Sequence, residues 1–370
     1  MMNTIKTLLP RKFNSKPTPA FSSVMNTCLR SVYLLGTALM ILSAISPSYG
    51  QVEVVLVKDI NEGPADAFTG FTMRDAVLHN DLLYFKAFDS EHGEEPWITD
   101  GTSAGTAMLK DVNPGAGTVS ANSFTSFNDL VFFQADDGLH GRELWVTDGS
   151  ESGTALFADI DPGEGHASPN NFFVWNDLLY FAANDGVHSE ELWVSDGTEA
   201  GTFMLKDLRP GSWTSSSRPM GFLSFNGRLF FTADDGVHGE ELWSTDGTPS
   251  GTSMVADINM TEENESSEPV RLTVFNGELL FLADDGVHGY ELWKTDGTGP
   301  GTQMVSDVNP GEAGIVFGNF ISPPVPFECN GKLYFGGLVG EPIYRLWETD
   351  GTEAGTQQAA LSDEEGLKWP

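Results

Sequence analysis

The chain has 370 residues, with 19 Lys and Arg against 53 Asp and Glu, a formal charge of −34. A field of that sign and size argues against nucleic acid and anionic membrane surfaces as partners. At this length the chain buries a sizeable core without help from metals or cross-links.

Residues 1–50 carry Lys6, Arg11, Lys12, Lys16 and Arg30 and no acidic residue. An apolar run from Val32 to Ile45 follows, too short to span a bilayer, then Ser46-Pro-Ser-Tyr-Gly50 with small residues at Ser48 and Gly50. This is the pattern of a secretory signal peptide cleaved after Gly50, with Met25 as an alternative start. The expected product is secreted or periplasmic, is not inserted in the membrane, and carries 14 basic against 53 acidic residues, a charge of −39.

Val52 to Ile60 reads as a strand standing alone. From there the sequence repeats. Trp97, Trp145, Trp193, Trp243, Trp293 and Trp347 recur at intervals of 48, 48, 50, 50 and 54 residues, and a fixed period in this range marks a repeat architecture. The unit from Phe222 to Asp257 shows the pattern. Phe222 to Phe225 is a short apolar strand, and Asn226-Gly227 suits a tight type I′ hairpin. Arg228 to Ala233 is a second strand, Asp234 to Gly239 a second turn, and Glu241 to Thr245 a third strand. Asp246 to Gly251 is a third turn and Thr252 to Asp257 a fourth strand. No window of helical period interrupts the series, so each unit is a four-stranded antiparallel meander.

Repeats of this length with four strands read as blades of a β-propeller, an all-β fold occupying residues 51–370. The last unit, around Trp347, has three clear strands and a weak fourth at Gln357 to Leu361. The simplest closure pairs Val52–Ile60 with the Leu346–Thr349 strand, giving six blades. Seven, with a blade split across both ends, is the alternative.

The core Glu191-Leu-Trp-Val-Ser-Asp-Gly-Thr198, repeated at Glu241–Thr248 and Glu291–Thr298, resembles the bacterial ELWxxDGT repeat family of exported proteins. Arg345, Pro96 and Ser150 depart from the pattern in other copies. The resemblance implies export but no particular activity. Many such relatives bear a C-terminal sorting domain, and none is recognisable before Pro370. The spacing of Ala233, Asp235, Gly239 and Trp243 also resembles the tryptophan-docking motif of quinoprotein propellers. That likeness implies that the tryptophans pack blade against blade, with each indole N–H needing a partner.

Candidate chemistry is sparse. His92, His140, His188, His238 and His288 share one turn position and are expected to serve the turn. The acid pairs Asp136-Asp137, Asp234-Asp235 and Asp284-Asp285 beside a Gly are oxygen ligands of the kind calcium takes, although side chains capping their own turn explain the same pattern. A single site must come from residues that break the repeat: Arg209, Trp213, Arg218 and Arg271 as ligand contacts, with Cys329 and Glu341 as further outliers. No catalytic set assembles from these, and neither a phosphate loop nor a paired-cysteine metal signature occurs. Asn259-Met-Thr261 and Asn264-Glu-Ser266 match the glycosylation sequon.

In a meander, the second turn and the link to the next unit lie at one end of the blade, and the first and third turns at the other. Variable loops on a rigid scaffold carry function. The expectation is therefore an exported, monomeric, non-enzymatic propeller that binds an extracellular protein or glycan on the link face. A quinoprotein-like or glycan-cleaving enzyme and a structural matrix protein are the alternatives.

Overall fold

The computed structural model describes residues 57–61, 76–115, 119–211, 215–262, 264–308, 314, 326–338 and 344–359. The expected signal peptide, Val52 to Leu56, Trp213, Glu341 and most of the last link lie outside these residues. Within them, the chain forms six four-stranded antiparallel sheets, each in sequence order, the blades of an all-β propeller. The first holds β1 (Val77–His79), β2 (Leu82–Asp89), β3 (Gly93–Thr99) and β4 (Ala107–Met108). The second holds β5 (Asn122–Phe127), β6 (Leu130–Asp136), β7 (Arg142–Thr147) and β8 (Ala155–Ala158). The third holds β9 (Asn170–Trp175), β10 (Leu178–Asn184), β11 (Glu190–Ser195) and β12 (Phe203–Lys206). The fourth holds β13 (Met220–Phe225), β14 (Arg228–Asp234), β15 (Glu240–Thr245) and β16 (Ser253–Ala256). The fifth holds β17 (Val270–Phe275), β18 (Glu278–Asp284), β19 (Tyr290–Thr295) and β20 (Gln303–Ser306). The sixth holds β21 (Phe327–Cys329), β22 (Lys332–Leu338), β23 (Tyr344–Thr349) and β24 (Gln357–Gln358).

Turn chemistry fixes the register. Phe225 pairs with Arg228 across Asn226 and Gly227, whose φ values of 47° and 71° are the left-handed pair a type I′ turn needs. The second strand of a blade reads as a continuous apolar run, because packed neighbours cover both of its faces. Leu229, Phe230, Phe231 and Ala233 are all fully buried.

The core is a set of layers between blades. Trp145 packs with Tyr84, Leu109 and Val112 of the preceding blade, while its neighbour Leu144 faces forward onto Phe181 and Trp193. Trp243 likewise meets Tyr180, Leu192 and Leu205, and Trp347 meets Phe275 and Leu280. Five of the six tryptophans are buried and Trp293 is half-buried, so the blade-against-blade role holds. The expected polar partner is not found: none of the six indole N–H groups meets an acceptor among the described residues. Apolar contact holds these rings, joined at Trp97 by Lys58 Nζ, 6.0 Å from the ring centre.

Two differences from expectation fall at the ends. The outer edge of β23 is taken by β24, and Ala359 N–H donates to Leu346 O, so the described structure puts Gln357–Ala359 where Val52–Ile60 was expected. Residues 57–61 are not in a strand, yet they lie against the first blade. Ile60 packs with Phe85 and Trp97, and Lys58 Nζ donates to Thr106 O at 2.7 Å. Lys110 and Lys206 make the same bond to Thr154 O and Thr252 O of the following blade. Lys58 therefore has the relation to the first blade that a preceding fourth strand has to its successor.

Candidate functional site

The link face is built from a buried carboxylate in each of five blades. Glu95, Glu143, Glu191, Glu241 and Glu291 are fully buried at the start of the third strand. Each accepts a backbone N–H from 17 residues further on, at Val112, Ile160, Leu208, Ile258 and Val308, where the link begins. Three of them also hold the link's far end. Glu143 accepts from Ala167 N–H, Glu191 from the Ser217 hydroxyl, and Glu241 from both Ser267 N–H and its hydroxyl. Burial pushes Glu95 up to about 8 and Glu143, Glu191 and Glu241 up to about 7, with the N–H donors working against it.

Backbone bonds then zip the link end between blades. Ser217 N–H donates to Glu190 O behind it, and its own O accepts Asp234 N–H of the next blade. Val119 and Ser267 repeat that bridge, and in the link before the third blade Ser168 N–H donates back to Arg142 O while Ala167 O accepts Asn184 N–H.

The second turn is held by its own side chains. Asp137 Oδ1 accepts the N–H groups of Leu139 and His140, and Oδ2 faces His140 Nδ1 at 2.8 Å. Asp185, Asp235 and Asp285 do the same with His188, His238 and His288, and Asp89 pairs with His92. Burial pushes these Asp groups up, but the N–H donors and the His ring hold them below the usual carboxylate range. The hydrogen bond from the paired carboxylate raises each His.

The first acid of each pair, Asp136, Asp234 or Asp284, caps the Gly N–H two residues on. The six candidate calcium ligands are thus engaged in Asx turns and His pairs. Among the described residues no three His, Cys, Asp or Glu side chains gather closely enough to hold a metal ion.

Arg209, in the link after the third blade, donates to Asp234 in the second turn of the fourth, joining two sequence-predicted sites in one ion pair. Its side chain crosses Gly236, where φ is +77° and a Cβ would strike the guanidinium. Both the backbone and the space demand glycine there. Asn113, Asp161 and Asn259 occupy the same place against Gly138, Gly186 and Gly286.

Arg218 is exposed at the entrance to β13, and Arg271 is half-buried in the bulge of β17. Arg271 lines a narrow apolar crevice between the fifth and sixth blades, with Leu282, Leu292, Pro326, Leu333 and Phe335. Cys329 is buried at the end of β21. Arg218 has positive φ at the position Ser168 holds one blade earlier, and Arg271 at the position held by Gly221 one blade earlier and Asn171 two blades earlier. The scaffold thus presents different side chains from one repeated backbone geometry.

Sequence reasoning missed a group beside Arg218. The Tyr290 hydroxyl donates to Glu268, and Glu240, raised chiefly by burial, feels Glu268 and Asp234 as further raising charges and Arg218 as a lowering one. The available signal was Tyr290, which stands where the other copies carry Glu94, Arg142, Glu190 and Glu240.

At the opposite end the Asp-Gly-Thr turns close on themselves. Asp246 Oδ1 accepts the N–H and hydroxyl of Thr248, whose hydroxyl accepts Gly251 N–H, while Thr252 bonds Thr248 O and Thr245. The motif is consumed by its own fold.

No family model and no curated protein matches the chain. Among solved structures it is similar to the computationally designed Ika8 protein, at 14% identity and a TM-score of 0.41, over 79% of this chain and 74% of that one. It is also similar to a puromycin hydrolase mutant complexed with PGG, at 16% identity and a TM-score of 0.41, over 71% of this chain and 41% of that one. A structure from a study of two prolyl endopeptidases matches at 10% identity and a TM-score of 0.31, over 77% of this chain and 49% of that one. Likeness at this level assigns no activity.

Proposed function

We propose that this is an exported, non-enzymatic propeller that binds an extracellular protein or glycan on its link face. The observation that supports the reading is the division of labour among side chains. The groups that recur from blade to blade are spent on the fold: Glu241 on the link ends, Asp235 and His238 on the turn, and Asp246 on the opposite turn. The residues that differ between blades, among them Arg209, Arg218, Glu268, Arg271 and Tyr290, belong to the links and the ends of strands that face them. A ring of equivalent sites cannot make one catalytic centre, whereas unlike side chains on equivalent backbone make one recognition surface.

The test is an array of glycans and extracellular proteins probed with the full chain and with Arg218→Ala plus Arg271→Ala. Loss of a captured ligand in the double variant, with unchanged thermal stability, supports the reading. Retained binding that is lost instead on altering the Asp-Gly-Thr end overturns it.

A further inference from the structure

Four consecutive second turns carry an exposed aliphatic side chain at one position. Leu139, Val187, Val237 and Val287 are 70%, 62%, 58% and 55% exposed. Exposed aliphatics scattered singly need no explanation. Recurrence at one position on one face does, because the turn makes no use of these side chains. Its hydrogen bonds run through the adjacent Asp, the His ring and backbone N–H groups. Each of the four aliphatic residues donates its own N–H to Asp137, Asp185, Asp235 or Asp285, which holds the tip in place. A backbone already ordered loses little further entropy when a partner covers it. Met260, in the link after the fourth blade, adds a fifth exposed apolar group. In the first blade Glu91 takes the tip position, so the apolar arc runs over blades two to five.

The charge around the arc is one-sided. Among their described residues, the four links (112–121, 160–169, 208–219, 258–269) and four turns (136–141, 184–189, 234–239, 284–289) contain 12 carboxylates and two arginines. Arg209 is already committed to Asp234, and Arg218 acts on Glu240. Those segments contain a single aromatic residue, Trp213, whereas sugar rings are held against flat aromatic faces. Aliphatic tips set among carboxylates complement cationic side chains interleaved with apolar ones.

We infer that the link face docks a cationic polypeptide segment whose aliphatic side chains seat among Leu139, Val187, Val237 and Val287 while its Lys and Arg meet the surrounding carboxylates. This rests on the reading of the link face as the binding face and narrows its partner to one class. Charge supplies the encounter and the salt dependence, and the aliphatic tips supply the discrimination.

The experiment uses the full chain and two synthetic peptides of equal length and charge, one alternating Lys with Leu and the other Lys with Ser. Calorimetric titrations compare the unmodified chain, the triple variant Val187→Ser, Val237→Ser and Val287→Ser, and a control, Phe203→Ser, at an exposed residue of β12 beside the opposite end. Both sets of substitutions are at exposed side chains, so thermal melts should coincide. The Lys–Leu peptide should bind about ten-fold tighter than the Lys–Ser peptide, a preference worth about 1.4 kcal/mol. That preference should vanish in the triple variant, persist in Phe203→Ser, and sit on a salt-sensitive background. Equal binding of the two peptides, or an unchanged preference in the triple variant, overturns the inference. If a neutral glycan instead binds and is lost with Arg218→Ala, the link face stands and the polypeptide partner falls. If binding is lost only in Phe203→Ser, both fall.

Discussion

Glu241 sets a measurable link between pH and stability. Its carboxylate is fully buried, and burial outweighs the donors from Ile258 and Ser267 to push it from 4.5 up to about 7. The folded protein therefore holds this proton more tightly than the unfolded chain does. The sign follows: the stabilisation is fully present below the unfolded value and is lost as pH rises through about 7. A difference of about 2.5 pH units corresponds to about 3 kcal/mol. Between pH 5 and 6.5 the unfolded Glu has released its proton and the folded one has kept it, so the slope from this group is about −1.4 kcal/mol per pH unit.

Glu241→Gln removes the titration while keeping the shape. An amide nitrogen at one of the two carboxylate positions leaves a backbone N–H unmet, at a cost of about 1–3 kcal/mol. Urea unfolding at steps from pH 5 to pH 8 reads the difference between the two proteins, in which the repulsion they share cancels. The unmodified chain should lead clearly at pH 5, and its lead should shrink by about 2.5 kcal/mol by pH 8. The exposed Glu199→Gln should give a curve parallel to the unmodified chain. Parallel curves for Glu241→Gln as well would mean that its donors, the Ile258, Asn259 and Ser267 N–H groups and the Ser267 hydroxyl, keep the carboxylate ionised, and the argument from burial would be refuted.

Trp193→Ala or Trp243→Ala should cost about 3–5 kcal/mol in chemical unfolding, since each removes a large ring from a layer between blades. Unchanged stability with lost ligand capture would reassign the ring to binding. Gly251→Ala places a Cβ against the Asp246 carboxylate that organises the third turn, and should cost about 1–3 kcal/mol by the same assay. The His238 ring should titrate above the ordinary value in an NMR pH series and return towards it in Asp235→Asn, because the Asp235 hydrogen bond raises it. That contribution to stability is present below 6.5 and fades as pH rises through the raised value. Calcium capture at Asp235 or Asp285 would have to displace the paired His. A calcium-specific rise in Tm should then come with a shift of the His resonances, and equal rises in calcium, magnesium and sodium chloride of matched ionic strength would remove the metal reading.

The blades were legible because their signals are local. Asn226-Gly227 fixes a two-residue hairpin, Asp246-Gly-Thr closes its own turn, and the Trp period counts the units. The buried glutamates were less legible, since their partners lie 17 to 26 residues away across the link. The hint was a charged residue kept directly before Leu-Trp in an otherwise apolar strand. The pairing of Arg209 with Asp234 was out of reach for the same reason, since it joins different blades. The edge beside β23 was assigned to Val52–Ile60 because Gln357–Leu361 reads as a weak strand. The structure shows that a two-residue bridge at Gln357–Gln358 is enough to occupy it.

The clamp also explains where the repeat is free to vary. Glu143 holds Ile160 and Ala167, seven residues apart, while Glu191 holds Leu208 and Ser217, nine apart. Glu241 holds Ile258 and Ser267, again nine apart. The change of period from 48 to 50 therefore falls between two clamped points, and the blades on either side keep their register. Lengthening a loop whose ends are already pinned costs little, because closure entropy grows only slowly with length. Lengthening a strand by one residue would turn every following side chain to the wrong face. Insertions are thus tolerated in a segment that reaches the link face, which lets that face diversify while the buried carboxylate beneath the link holds the scaffold constant.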